Sequence, residues 1–161
     1  MSQIKHKTAL SLILLFSILT IFVAYFIQYA LKHQPCNLCL IERIPYIIAI
    51  IITSICLFFD KFERISFIIL SIVFFSGTLI ACYHFGIEQG LIIESLVCDL
   101  NNDNSDLSKE ALLKQLKEVS ISCKEVTFKI FGLSLATINI IISLILSIIT
   151  MNHFLNYAKN R

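Results

Sequence analysis

The stretch Gln34-Pro35-Cys36-Asn37-Leu38-Cys39-Leu40-Ile41-Glu42-Arg43 joins two long apolar segments and decides how the rest of the chain is read. A Cys-x-x-Cys pair can close into a small disulfide ring and open again. It is more often redox-active than a lone cysteine. A bridge across two intervening residues closes too small a loop to stabilise a fold much. Arg43 stands four residues beyond Cys39 and shares a helical face with that sulfur if a helix begins before it. A nearby cation and a helix N-terminus both favour thiolate over thiol. An arginine there equally suits an interfacial anchor whose guanidinium reaches the headgroups.

Upstream of the dithiol, residues 8–31 carry no charge. A spanning helix needs about 20 apolar residues, so this is the first predicted span. It is too long for a signal peptide, and no Ala-x-Ala site follows it. Downstream, residues 44–59 form a second, short span with Pro45 in its first turn, where a missing N–H costs little. After a polar turn at 60–64 come a third span at 65–83, ending at His84, and a fourth at 130–152.

The chain has 161 residues, 57% of them apolar and 15% charged. Soluble domains carry about 25% charged residues. The fold class that follows is an all-α membrane protein: a single domain over residues 1–161, built as a four-transmembrane-helix bundle. The net charge of +2, with no basic run bearing interleaved aromatics, argues against a nucleic-acid partner. Lys5, Lys7, Lys61, Arg64, Lys159 and Arg161 fall in short segments on one side. The positive-inside rule puts that side, and both termini, in the cytoplasm. Loops 32–43 and 84–129 then face outward, in a bacterium toward the periplasm, where disulfides persist.

The longer outer loop is too polar to span. Within it, Leu107 to Val119 has helical periodicity, with Leu112, Leu113, Leu116 and Val119 on one face and Glu110, Lys114 and Glu118 on the other. A short amphipathic helix is expected there, lying on the membrane surface or packed on its own loop.

Of the six cysteines, Cys36, Cys39, Cys98 and Cys123 face outward. Four cysteines allow three connectivities, and spacing does not choose among them. A Cys98–Cys123 bridge would constrain the unfolded loop by roughly 3–4 kcal/mol, enough for a structural staple. A zinc site of four thiolates is disfavoured, because Cys98 and Cys123 lack the close spacing of zinc knuckles. No metal is expected. Cys56 and Cys82 fall inside spans and read as packing residues. His84 and Glu88 stand at the outer mouth of the third span. A histidine there suits proton transfer or a hydrogen bond to a quinone carbonyl, or simply the water interface.

Taken together, Gln34-Pro35-Cys36-x-x-Cys39 with Arg43, Tyr83-His84-x-Gly86-x-Glu88, Cys98-Asp99, Cys123 and Phe131-Gly132-Leu133-Ser134 closely resemble the DsbB family of disulfide-bond formation membrane proteins. The resemblance covers nearly the whole chain. It implies an inner-membrane oxidoreductase that reoxidises a periplasmic, thioredoxin-fold DsbA-type oxidase and passes the electrons to ubiquinone or menaquinone. By position, Cys98 resembles the sulfur attacked by the partner's thiolate, and Cys123 its pair, which exchanges with Cys36. Cys39 resembles the thiolate that contacts the quinone, Arg43 the cation supporting that charge, and His84 the third-span residue near the quinone. A DsbI-like member with one dedicated substrate would share most of these motifs. A vitamin K epoxide reductase-like enzyme would carry its Cys-x-x-Cys late in the bundle, unlike this chain. A membrane scaffold stapled by its cysteines is the non-catalytic alternative.

Overall fold

The computed structural model describes residues 2–59, 63–93, 123, 129–130 and 132–159. Cys98 and the amphipathic stretch Leu107 to Val119 lie outside the described residues. Helices α1 (Ser2–Tyr29), α2 (Asn37–Ile41), α3 (Ile44–Phe58) and α4 (Glu63–Glu88) precede a two-residue hairpin of β1 (Lys129–Ile130) and β2 (Leu133–Ser134). The last helix, α5, spans Leu135–Lys159. Four segments are long and apolar enough to cross a membrane: His6–Tyr29, Asn37–Phe58, Arg64–Glu88 and Leu135–Asn156.

The boundaries follow local chemistry. Pro45 has no N–H to donate into the preceding turn, so α2 and α3 are separate helices with Glu42 and Arg43 at the break. α4 runs past the expected end at Tyr83 and takes in His84 and Glu88, which the sequence reading placed in the outer loop. It stops at a Schellman cap: the Leu91 N–H reaches the Gly86 carbonyl, the Gly90 N–H reaches that of Ile87, and Gly90 adopts φ +71°. The fourth span begins at Leu135 instead of Ile130, because Gly132 at φ +83° turns the chain back and pairs Ile130 with Leu133. Ser134 then caps α5 by accepting the Thr137 N–H on its hydroxyl.

α4 packs most extensively on α5, α1 packs on α3, and α3 on α4. The core includes Leu10 and Ile13 of α1, Tyr46, Ala49 and Cys56 of α3, Phe67, Leu70 and Phe74 of α4, and Leu146 of α5. Gly77 lets the two helices after the dithiol approach closely, since a Cβ there would sit 3.1 Å from Pro45 Cγ. Many large apolar side chains point outward, among them Leu15, Phe22, Ile51, Ile72 and Ile148. That is the pattern of a bundle solvated by acyl chains.

Candidate active site

The dithiol sits on the first turn of α2. Cys36 is the N-cap, and its sulfur accepts the Cys39 backbone N–H at 3.3 Å. The two sulfurs lie 2.8 Å apart as free thiols. The Cys36 thiol is pulled down to about 5, first by its hydrogen bond with Cys39 and further by His84, against the opposing effect of burial. In the reduced pair the negative charge therefore rests on Cys36, with Cys39 donating to it.

The extra turn of α4 brings His84 to this pair. Its Nε2 is 3.5 Å from Cys36 Sγ, and its Nδ1 is 2.6 Å from Glu42 Oε1. A carboxylate can only accept, so Nδ1 carries the proton and Nε2 is the nitrogen turned to sulfur. Glu42 is buried, 8% exposed, and its second oxygen accepts from Asn139 Nδ2 at 2.8 Å. Asn139 Oδ1 in turn accepts from the Tyr46 hydroxyl at 2.6 Å, and Ser143 completes the group. The helix break places Glu42, α4 supplies His84 and α5 supplies Asn139, so one continuous network crosses three elements.

On the other side of Cys39 is a cavity of about 330 Å3. α1 and α5 line it across a gap, with apolar side chains such as Leu19, Val23, Ile138 and Ile142. Cys39, Glu42, Arg43, Gln28 and Asn139 supply polar atoms to the wall. Arg43 donates from Nη1 to Gln28 Oε1 at 2.7 Å, and its guanidinium lies over the Tyr25 ring at 5.0 Å from the centroid. The arginine is thus held by α1 at the cavity, through both a hydrogen bond and a cation–π contact.

Cys123 is disulfide-bonded and 1% exposed. It belongs to a buried cluster with Cys36, Leu38 and Ile87, against which Cys39 and Tyr83 pack. The fold therefore brings together Cys36, Cys39, Cys123 and His84, and it puts Arg43 with Cys39 on the cavity wall. His84 is not among the described residues of that wall; it bonds Glu42, which is. Cys56 is buried in the core and Cys82 is exposed on α4, both as free thiols. Cys36, Cys39 and His84 offer donor atoms within 4.8 Å of one another. Two thiolates on one zinc ion stand about 3.8 Å apart, as a tetrahedron with 2.3 Å bonds requires. At 2.8 Å the two sulfurs stand closer than that, between the spacing of a bonded pair and that of two thiols in contact.

Compared with known proteins, residues 6–152 match the sequence model of the family described as disulfide bond formation protein DsbB. The chain belongs to the DsbB family. It is also 26% identical, over 158 residues, to a protein of Rickettsia prowazekii (strain Madrid E) described as uncharacterized. That match covers 97% of this chain and 91% of the relative. No solved structure matches. Membership of the DsbB family assigns the chain to disulfide-bond formation and implies a thiol-oxidoreductase role.

For a DsbB protein, the sequence reading missed Glu42, Asn139, Tyr46 and Gln28. Glu42 stands just past the Cys-x-x-Cys motif and Asn139 inside an apolar span, and no spacing pattern marks either position. The signal that could have found them is general: an ionisable or amide side chain at membrane depth is costly and is retained for a partner or a function.

Proposed function

We propose that this DsbB-family chain is an inner-membrane, quinone-dependent thiol–disulfide oxidoreductase, with both termini in the cytoplasm. It reoxidises a periplasmic DsbA-type oxidase and so supports disulfide formation in exported proteins. One observation carries the reading: Cys39 shares an apolar cavity wall with Arg43, while Cys36, 2.8 Å from Cys39, packs in one cluster with Cys123. The dithiol thus joins a disulfide on one side to a lipid-type pocket on the other.

The pocket suits a quinone. About 330 Å3 lies in the usual range for small-molecule sites, and its apolar walls match an isoprenoid tail. The Arg43 guanidinium donates hydrogen bonds of the kind ring carbonyls accept. When bound, ubiquinone or menaquinone supplies an acceptor for two electrons and two protons.

The remaining steps belong to the chain. The partner's thiolate attacks Cys98, and the mixed disulfide releases Cys123 as a thiolate. Cys123 then attacks Cys36 of the Cys36–Cys39 disulfide, a short move within one buried cluster. Once Cys36 is held in that new bond it no longer competes with Cys39 for negative charge. Cys39 is freed at the cavity wall, where Arg43 offsets the charge. A DsbA-type partner is strongly oxidising, at roughly −120 mV, and about 30 mV is worth about 1.4 kcal/mol for two electrons. Reoxidising it needs a sink such as quinone, since the glutathione couple is more reducing.

The test is turnover by purified protein with reduced DsbA-type oxidase and ubiquinone, followed by loss of partner thiols and of quinone absorbance. Cys39→Ser is expected to abolish quinone reduction. Wild-type turnover in that variant would overturn the proposal.

A further inference from the structure

Glu42 is the carboxylate that touches both halves of the site. One oxygen is 2.6 Å from His84 Nδ1, while the residue also lines the cavity that holds Cys39 and Arg43. Its other oxygen is fixed by Asn139 at 2.8 Å, and Asn139 is fixed by Tyr46 at 2.6 Å. So clamped, Glu42 holds the imidazole with Nε2 toward Cys36.

We propose that Glu42 is a positioning residue for Cys36: it orients His84 and takes up, through that imidazole, the proton Cys36 releases. The inference rests on the thiol–quinone reading for its place in the cycle. In the reduced dithiol the Cys36 proton has already left its sulfur, so reoxidation breaks the Cys39 S–H bond and forms one S–S bond from the Cys36 thiolate. Two electrons pass to the quinone-class acceptor. The proton that Cys36 gave up to His84 Nε2, relayed as the Nδ1 proton to Glu42 Oε1, leaves beside the cavity. The Cys39 proton leaves directly at the cavity wall, so two protons accompany two electrons.

The other titratable and charged groups around Cys36 and His84 come from every packed element. α2 gives Cys39, and the α2–α3 break gives Arg43, turned away to Gln28. α3 gives Tyr46, and α4 gives Tyr83 and Glu88. Glu88 Oε1 is 3.8 Å from His84 Nε2 on the side of Cys36, and its buried Oε2 has no hydrogen-bond partner among the described residues. Cys123 is in a disulfide and does not titrate. From α5, Asn139 and Ser143 contribute only neutral groups. Glu42 is the carboxylate in hydrogen-bond contact with the ring, whereas Glu88 lies beyond that distance.

The experiment uses reduced, quinone-free, full-length protein and measures alkylation of Cys36 by iodoacetamide against pH, site by site by mass spectrometry. Glu42→Gln removes the carboxylate that fixes the ring and takes up the Nδ1 proton, so the imidazole no longer draws the proton from Cys36 and the Cys36 profile is expected to move up by about one pH unit. That is about tenfold slower alkylation on the acid limb. Glu42→Asp should fall between Gln and wild type. Ser71→Ala, which loosens the same α4–α5 pair through its bond to Ser147 far from the dithiol, should leave the profile in place. An unmoved Glu42→Gln profile overturns the inference, as does an equal shift in Ser71→Ala. If Glu42→Gln does not fold, Glu42→Asp decides: an upward shift supports the inference and no shift overturns it. The assay contains no quinone and no partner. Failure of wild-type protein to reduce quinone therefore sinks the functional proposal without touching this readout, and an unmoved profile sinks this inference even with normal turnover.

Discussion

Arg43 Nη1 lies 2.7 Å from Gln28 Oε1, and this bond ties the break between α2 and α3 to the first helix. It fixes a cation at a cavity that Cys39 also lines. Arg43→Ala is expected to raise the apparent KM for quinone by about tenfold, the loss of one charge-assisted hydrogen bond. Gln28→Ala leaves the guanidinium in place but free to move, so it should raise KM by less. Steady-state kinetics with varied quinone check both. An unchanged KM in Arg43→Ala would assign the arginine to membrane anchoring.

Cys36 carries its thiolate well into acid. Its thiol is pulled down to about 5, mainly by Cys39 and then by His84. With the folded value depressed, the thiolate is present above about pH 5 and is lost as pH falls through it. Alkylation of Cys36 in reduced protein should therefore stay fast at neutral pH and fall off near pH 5. His84→Ala removes the imidazole 3.5 Å away and should move the fall-off toward neutral pH. A coincident profile would show that Cys39 alone sets the charge.

Cys123 and Cys36 pack in one buried cluster, which makes disulfide interchange between them a local event. Cys123→Ser should stop electron flow from a DsbA-type partner. Small dithiols that reduce the Cys36–Cys39 disulfide directly should still drive quinone reduction. Equal loss with both donors would place Cys123 in the fold and not in the relay.

Gly77 faces the Pro45 ring, and any Cβ there meets Pro45 Cγ at 3.1 Å. A proline ring at a helix start has little room to yield. Gly77→Val is expected to destabilise by about 1–3 kcal/mol through overpacking, and Gly77→Ala by less. Thermal or detergent-induced unfolding of the purified protein measures this. A neutral Gly77→Val would mean that α3 and α4 slide apart at low cost.

The four apolar segments, the polar segments between them and the Cys-x-x-Cys with Arg43 were legible because hydropathy and short spacing are local properties of the chain. So was Pro45 in the first turn of its helix. Chain order also carried the family resemblance, since the motifs fall in sequence along the spans. Helix ends were less legible. The Gly90 cap and the Gly132 turn are glycine signals that the apolar pattern masks, and they moved His84 and Glu88 into α4 and the start of α5 to Leu135. Tertiary structure alone decided that His84 faces Cys36, that Glu42 joins His84 to Asn139, and that Arg43 turns to Gln28. These contacts link residues up to 97 positions apart, and no linear period encodes such a pairing. A polar side chain at membrane depth needs a partner, and only the packing of α1, α3, α4 and α5 determines which one it finds.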